Sequence, residues 1–302
     1  MISLITNFLT NAIQSGTSVL YGIYGETITE RSGIVNLGTE GSMILGAIAA
    51  YIVAADSGSM GLAIICAMLA GGALALIHAY LCINRKANQL ASGLTLMFLG
   101  LGIAAFYGRE YVSVSITGLN KIAIPLLSKI PVIGEAFFNQ DILTYLSFVL
   151  CPVLWWFLYK TRKGLFLRAA GEDKEVVYAY GKNPQSLRYL ATVLGGMISA
   201  IGGAQLSIAY TKTWSEGMTN GRGIIAVSLV VLAKYNPSKA MIGAYVYGGA
   251  QALNVILQSQ GVEISPFLLM MLPYVITLVA LFVSSVRKGT NAPNELKNII
   301  GG

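Results

Sequence analysis

The stretch RSGIVNLGTEGSMILGAIAAYIVAA, Arg31 to Ala55, decides the fold. It starts at a charge and rises into a long apolar run. Asn36, Glu40 and the glycines Gly33, Gly38, Gly41 and Gly46 sit where that apolar phase begins. About 20 mainly apolar residues are what an α-helix needs to cross about 30 Å of hydrocarbon. A carboxylate and an amide are costly against lipid, and glycine weakens a helix while letting backbones approach. Asn36 and Glu40 are four apart, the spacing of one helical face. That face is expected to point into a bundle of helices, away from lipid.

Composition extends this reading to the whole chain. Of 302 residues, 55% are hydrophobic and 11% charged, and the mean hydropathy is +0.67. Soluble domains carry about 25% charged residues, so the chain reads as an all-α polytopic membrane protein, one domain over residues 1–302. Apolar runs place spans at 4–23, 35–55, 60–83, 90–108, 141–160, 188–211, 221–234, 240–258 and 266–285, about nine helices (eight to ten) in one bundle. The first is weakened by Asn7, Asn11, Gln14 and Ser15, and the seventh contains only about half a crossing of apolar sequence. No basic region precedes the first run, so a cleaved signal peptide is not expected.

Charge sets the orientation. If residues 24–34, 84–89, 161–187, 234–239 and the tail after 285 share one side, and the span-end residues Lys160 and Arg188 are counted with their nearest loop, that side holds 15 of the 20 Lys and Arg residues. Arg109, Lys121, Lys129, Lys212 and Arg222 lie opposite. Cytoplasmic loops are enriched in Lys and Arg, which puts the C-terminus in the cytoplasm and the 109–140 loop outside, with a short re-entrant or surface helix expected there. The +7 charge forms no aromatic-interleaved patch, so nucleic acid is not an expected partner.

Small residues mark the helix contacts, as expected in lipid. Gly195, Ser199, Gly203 and Ser207 recur every fourth position, as do Ala244, Gly248 and Ala252. Pro152 and Pro273 fall inside spans and are expected to kink them.

Catalytic and metal patterns are missing. There is no GxxxxGK[ST] nucleotide loop, no HExxH and no Ser/His/Asp or paired-carboxylate set. His78 is the single histidine and lies in an apolar span, where it reads as a packing residue. Cys66, Cys82 and Cys151 have no CxxC spacing and read as buried thiols. The chain is therefore expected to bind no metal or cofactor and not to be an enzyme. Proton-coupled carriers use several intramembrane acids. Here Glu40 is the only acid clearly inside an expected span, which places the energy source outside this chain.

The 161–187 loop contains "RAAGEDKEVVYAYGKN", Arg168 to Asn183. Gly171 is expected to break a first helical turn. Glu172 and Asp173 then favour a new helix start by complementing its dipole, and Gly181 and Pro184 stop it. Val176, Val177 and Tyr180 fall on one face, suited to the membrane surface or to a groove on a soluble partner.

This segment resembles the coupling loop of ABC importer permeases, an Arg-Ala-x-Gly followed by a helix and a second Gly. "SGIVNLGTEGSMILGAIAAY" and "NGRGIIAVSLVVLAKYNP" resemble two further motifs of the permeases that serve nucleosides, simple sugars and branched-chain amino acids. The three occur in that family's order across essentially the whole chain. "RSGIVNLGTEG" is most similar to the shorter permease subunit of nucleoside importers. Sugar permeases tend to carry Gly-Ile-Asp-Leu-Ser there, whereas this chain has Asn36 near that Asp and Glu40 in addition. The resemblance implies a second, homologous permease chain, an extracellular substrate-binding protein and a cytoplasmic ATPase that carries the ATP. The ATPase would dock on Arg168, Gly171, Glu172, Val176, Val177, Tyr180 and Gly181 of a cytoplasmic coupling helix.

For the substrate pathway, broken helices near the membrane midplane are the expected place. Two segments fit, Arg31–Ala55 and GMTNGRGIIAVS, Gly217–Ser228. Both contain Gly-x-x-Asn, four matched positions that chance explains as well as an internal repeat. Asn36, Gly38, Glu40, Gly41 and Asn220 are the candidates, with Phe98 or Phe106 to stack on a base. Glu40 has two open readings. It binds substrate hydroxyls, or it caps backbone N–H groups of a broken helix or pairs with Arg31 or another cation. A simple-sugar permease and a self-sufficient carrier using Glu40 are the competing functions.

Overall fold

The computed structural model describes residues 2–260, 265–286 and 292–296. The chain forms a helical bundle around two enclosed helices, α2 (Thr39–Ser57) and α9 (Pro184–Ala204, continued by π-helical turns Gln205–Thr211). Across their apolar windows 72% and 78% of residues are buried, against 33% for α3 (Met60–Ala79, continued to Asn84), α4 (Gln89–Gly108) and α6 (Ile142–Lys160). The inner pair is thereby separated from helices whose large apolar side chains, such as Leu69, Phe98 and Trp156, face outward.

α1 (Ile2–Arg31) packs on α9, α10 (Arg222–Leu232) and α11 (Pro237–Ser259). It differs from the expected 4–23 span and 24–34 loop. The helix runs on for 30 residues because Glu26, Thr27, Thr29, Glu30 and Arg31 are all buried within the bundle and need no solvent. The Arg31 guanidinium donates to the Tyr235 carbonyl (3.2 Å) and the Tyr159 hydroxyl (3.0 Å) and stacks on both rings. Glu40 is therefore one of several buried acids, with Glu26, Glu30 and Asp141.

Among the described residues, six helices are long and apolar enough to cross a membrane: Thr39–Ser57, Met60–Asn84, Gln89–Tyr111, Ile142–Lys160, Pro184–Thr211 and Pro237–Ser259. The other three expected spans fall outside that set. α1 is long but polar, and α10 has 11 residues, about 16 Å of rise. In α12 (Pro266–Val286) the apolar stretch identified is Met271–Ala280. The chain is thus a multi-pass membrane protein.

The small-residue ladders lie in helix contacts. A Cβ built at Gly203 would collide with the Met43 carbonyl of α2, and one at Gly195 with Thr29 of α1. A Cβ at Gly248 would lie 2.8 Å from the Gly16 Cα. α6 and α12 continue through Pro152 and Pro273. His78 is fully buried, 3.1 Å from the Ser92 hydroxyl and 3.0 Å from the Val35 carbonyl, and so ties α3 to α4 and to the turn before α2.

Residues 109–140 hold one short α-helix, α5 (Ile133–Phe138), two 3-10 turns (Arg109–Tyr111 and Leu127–Lys129) and a two-stranded antiparallel ladder pairing Ile122 with Gln140 (strands β1, Ile122–Ala123, and β2, Asn139–Gln140). The 161–183 segment forms two helices, α7 (Arg162–Glu172) and α8 (Lys174–Ala179). Gly171 does not break the first, as its sequence suggested. The break falls at Asp173, whose backbone is extended (φ −157°) and whose side-chain carboxylate caps α8 by accepting from the Glu175 N–H.

Gly203→Val should destabilise the protein by about 3 kcal/mol or more, the upper end of overpacking penalties, because the obstacle is backbone. Gly61→Ala, where nothing lies within 4 Å, should be silent. Thermal unfolding of the detergent-solubilised protein checks both, and equal midpoints would contradict the packing described.

Candidate functional site

Two helices of the bundle start from interruptions, α2 after residues 32–38 and α10 after residues 212–221. Their heads meet at Glu40. Glu40 Oε1 accepts from the Thr219 hydroxyl (2.6 Å) and the Gly221 N–H (2.9 Å), and Oε2 from the Gly223 N–H (2.6 Å). Gly221 is the N-cap of α10, with left-handed φ +76°, and the first turn of α10 carries no acid of its own. A helix N-terminus leaves backbone donors unpaired and carries positive partial charge. Glu40 supplies the missing anion from a neighbouring helix.

The contact is closed sterically as well. A Cβ at Gly223 would fall on the Glu40 backbone. The next residue back, Arg222, is 8% exposed and turns toward α1, donating to Ser18 Oγ (2.8 Å) and the Ser15 carbonyl (3.1 Å). On α12, the Tyr274 hydroxyl donates to the Asn220 carbonyl at 2.8 Å.

A second carboxylate does the same one step earlier. Glu26, 1% exposed on α1, accepts from the Asn36 N–H (2.7 Å) through Oε1 and lies 2.9 Å from the Thr39 hydroxyl through Oε2. It holds the turn from which α2 starts. Asn36 is therefore in a turn and not on a helical face with Glu40. Its side-chain oxygen accepts from the Gly38 N–H at 2.9 Å. Gly38 faces the Gly93 carbonyl, and Gly41 lies against Leu96, Met97 and Gly100 of α4, so both glycines serve the α2–α4 approach.

The structure thus gathers Asn36, Gly38, Glu40 and Gly41 in one buried region and brings Asn220 to it by its backbone, while the Asn220 residue is exposed. Phe98 and Phe106 do not join them. They are 66% and 76% exposed on the outer surface of α4. Gly33 and Gly217 both take positive φ, but Asn220 does (+44°) and Asn36 does not, so the two Gly-x-x-Asn segments are not superposable turns.

Glu26, Thr219, Arg222 and Tyr274 were not singled out by sequence. The signal for Glu26 is ETITER, Glu26–Arg31, where acids four apart continue a run with no helix breaker. Thr219 and Arg222 flank Asn220 in a glycine-rich head. Nothing in the sequence places Tyr274 beside them.

At the other end, Arg168 donates to the Leu158 carbonyl (2.9 Å) and stacks on Tyr159, and Gly171 packs on Arg31 and Gly33. Val177 is fully buried, so it does not belong to an exposed face. Val176, Tyr178 and Tyr180 are the exposed large apolar and aromatic side chains there, 45%, 53% and 71% exposed, with the Tyr180 ring against Phe166. Gly181 ends α8 at φ +68° with open space around it.

A family model described as the permease component of the branched-chain amino acid transport system matches residues 7–281. The chain belongs to this permease family. Among its relatives, a protein of Haloferax volcanii named, provisionally, as a glucose ABC transporter permease is 40% identical over 268 residues, 87% of this chain and 82% of the relative. A nucleoside ABC transporter permease of Lactococcus lactis is 33% identical over 285 residues, 90% of each chain. A guanosine ABC transporter permease of Bacillus subtilis is 32% identical over 271 residues, 85% of each. This permease is thus of the ABC-transporter kind, and proteins of that kind are transport subunits and not enzymes.

Hydrogen bonds to a charged group are worth about 1.5–3 kcal/mol, and Glu40 makes three. Glu40→Gln puts an amide donor against backbone donors. It should lower stability by about that amount, and Glu40→Ala by more, with the preference among transported solutes unchanged in whatever folds. Thermal midpoints and competition uptake check this. Normal stability with altered selectivity would assign Glu40 to substrate instead.

Proposed function

We propose that this permease is the membrane-spanning subunit of an ABC importer that carries nucleosides inward. The observation that carries the reading is the RSGIVNLGTEG head of α2, Arg31–Gly41, together with the two nucleoside-permease relatives that align over 85–90% of both chains. A second reading, a simple sugar, is favoured by the relative named for glucose, which has the higher identity.

In this reading the Lys- and Arg-rich end, with the C-terminus, faces the cytoplasm. α7 and α8 are the coupling helices, and the exposed Val176, Tyr178 and Tyr180 side chains, edged by Phe166, seat a separate ATPase on which ATP is bound and hydrolysed. Arg168, Gly171, Glu172 and Gly181 position them. A second permease chain completes the pathway, and an extracellular binding protein delivers the solute. Lipid or that second chain covers the exposed side of α4, Phe98 included.

Glu40 serves the pathway by holding its wall. A carboxylate offers about four acceptor positions, and three are engaged by the head of α10. Asn36, Gly38 and Gly41 support the same wall from the turn and from the α2–α4 contact. Asn220, exposed beside it, is the one candidate whose side chain is open to a passing hydroxylated solute.

In proteoliposomes containing the full importer, labelled guanosine uptake should be abolished by excess unlabelled nucleoside and left intact by excess glucose. No labelled guanosine uptake, with labelled glucose taken up instead, would establish the sugar reading. Tyr180→Asp should uncouple ATP hydrolysis from uptake without blocking membrane insertion. Gradient-driven flux by this chain alone would overturn the ABC mechanism in favour of a secondary carrier.

A further inference from the structure

The described segment 292–296, beyond α12, is seated on the coupling helices. Glu295 Oε2 lies 3.1 Å from Lys174 Nζ on α8 and 3.5 Å from Arg188 Nη2 at the start of α9. The Asn294 N–H donates to Glu172 Oε2 at 3.2 Å, at the end of α7. Leu296 is fully buried in the same apolar cluster as Val35, Leu158 and Leu167. One short stretch therefore touches α7, α8, α9 and the base of the bundle.

Its links differ in strength. Arg188 is 6% exposed, donates to the Ala170 carbonyl (2.7 Å) and has a buried Nε without a partner among the described residues. Its charge is left largely to Glu295, and stripping one partner from a buried charge is strongly unfavourable. The Lys174 side chain is 44% exposed and that of Glu295 27%, so this second link is screened by solvent and weak. The segment is fixed on α9 and the core and only lightly held to α8. α8 is also the shortest of these helices, six residues set off from α7 by the break at Asp173.

We propose that residues 292–296 are a clasp that sets the resting position of α8, with the Lys174–Glu295 pair as its release point. The proposal rests on the reading of α7 and α8 as coupling helices. With the pair closed, α8 stays with the bundle, and displacement of the docked ATPase reaches α1, α2 and α9 through Glu295, Arg188 and Gly171. With the pair open, α8 swings with the ATPase and ATP is hydrolysed without moving the bundle.

The test uses the full importer in proteoliposomes, measuring labelled guanosine moved per ATP hydrolysed and ATP hydrolysis without substrate. Lys174→Gln spares the buried Arg188–Glu295 link and so leaves folding intact. It should raise substrate-independent hydrolysis about two- to fivefold, the range an exposed ion pair commands, and lower guanosine moved per ATP to match. Raising salt should shift the unaltered protein the same way, because exposed pairs are screened, and should not shift Lys174→Gln further. Glu295→Gln should show the larger effect together with a lower thermal midpoint. A Lys174→Gln importer with unchanged stoichiometry at every salt concentration would overturn the clasp. Tyr180→Asp separates the two readings. If it abolishes coupling while Lys174→Gln is silent, only the clasp fails; if Tyr180→Asp is itself silent, the coupling-helix reading falls and takes the clasp with it.

Discussion

The start of α10 depends on one buried carboxylate. Glu40, 3% exposed, accepts two backbone N–H groups and a hydroxyl at the head of α10. Burying an isolated ionised carboxylate is prohibitive, and burying three unpaired donors at a helix end costs several kcal/mol more. Together the two liabilities cancel. An 11-residue helix that does not cross the bilayer alone can start deep inside the bundle because an acid from another helix finishes its N-terminus. Non-helical backbone at membrane depth is tolerated where protein satisfies it.

The arrangement forms a chain of supports. Glu26 on α1 holds the turn at Asn36, that turn starts α2, and α2 carries Glu40 to α10. Close glycine contacts keep these helices in register, Gly203 against Met43 and Gly41 against Gly100. Gly171 of α7 packs on Arg31 and Gly33, at the base of the same turn. α7 is thereby in packed backbone contact with the turn that Glu26 holds. The two ion pairs among the described residues both involve Glu295 and lie at this end. In the interior, buried carboxylates are held by hydrogen bonds to the helix starts and the turn they face.

Much of this was legible in residue order. Apolar run lengths mark six of the nine expected membrane helices among the described residues, the four-residue ladders of Gly and Ser mark helix contacts, and a polar patch at the head of an apolar run points inward. The end of α1 was not legible, because Glu26, Glu30 and Arg31 look like a cytoplasmic loop. The burial of Glu26 and Arg31 is made possible by Asn36, Tyr159 and Tyr235, one of them 204 residues away. The role of Glu40 was narrowed to substrate or cap, but its partners lie 179–183 residues downstream. The facing of α8 was missed by one residue. Periodicity puts Val177 beside Val176 and Tyr180, yet packing turns Val177 inward and leaves Tyr178 outside. Short helices follow the neighbour they rest on more than their own pattern.

The most direct measurement is hydrogen–deuterium exchange of the membrane-reconstituted protein, comparing residues 219–225 with and without Glu40→Gln. The account predicts that the Gly221 and Gly223 amides are protected in the unaltered protein, and that the substitution releases protection there while α3, α4 and α6 exchange as before. Equal protection of residues 219–225 in both proteins would contradict it.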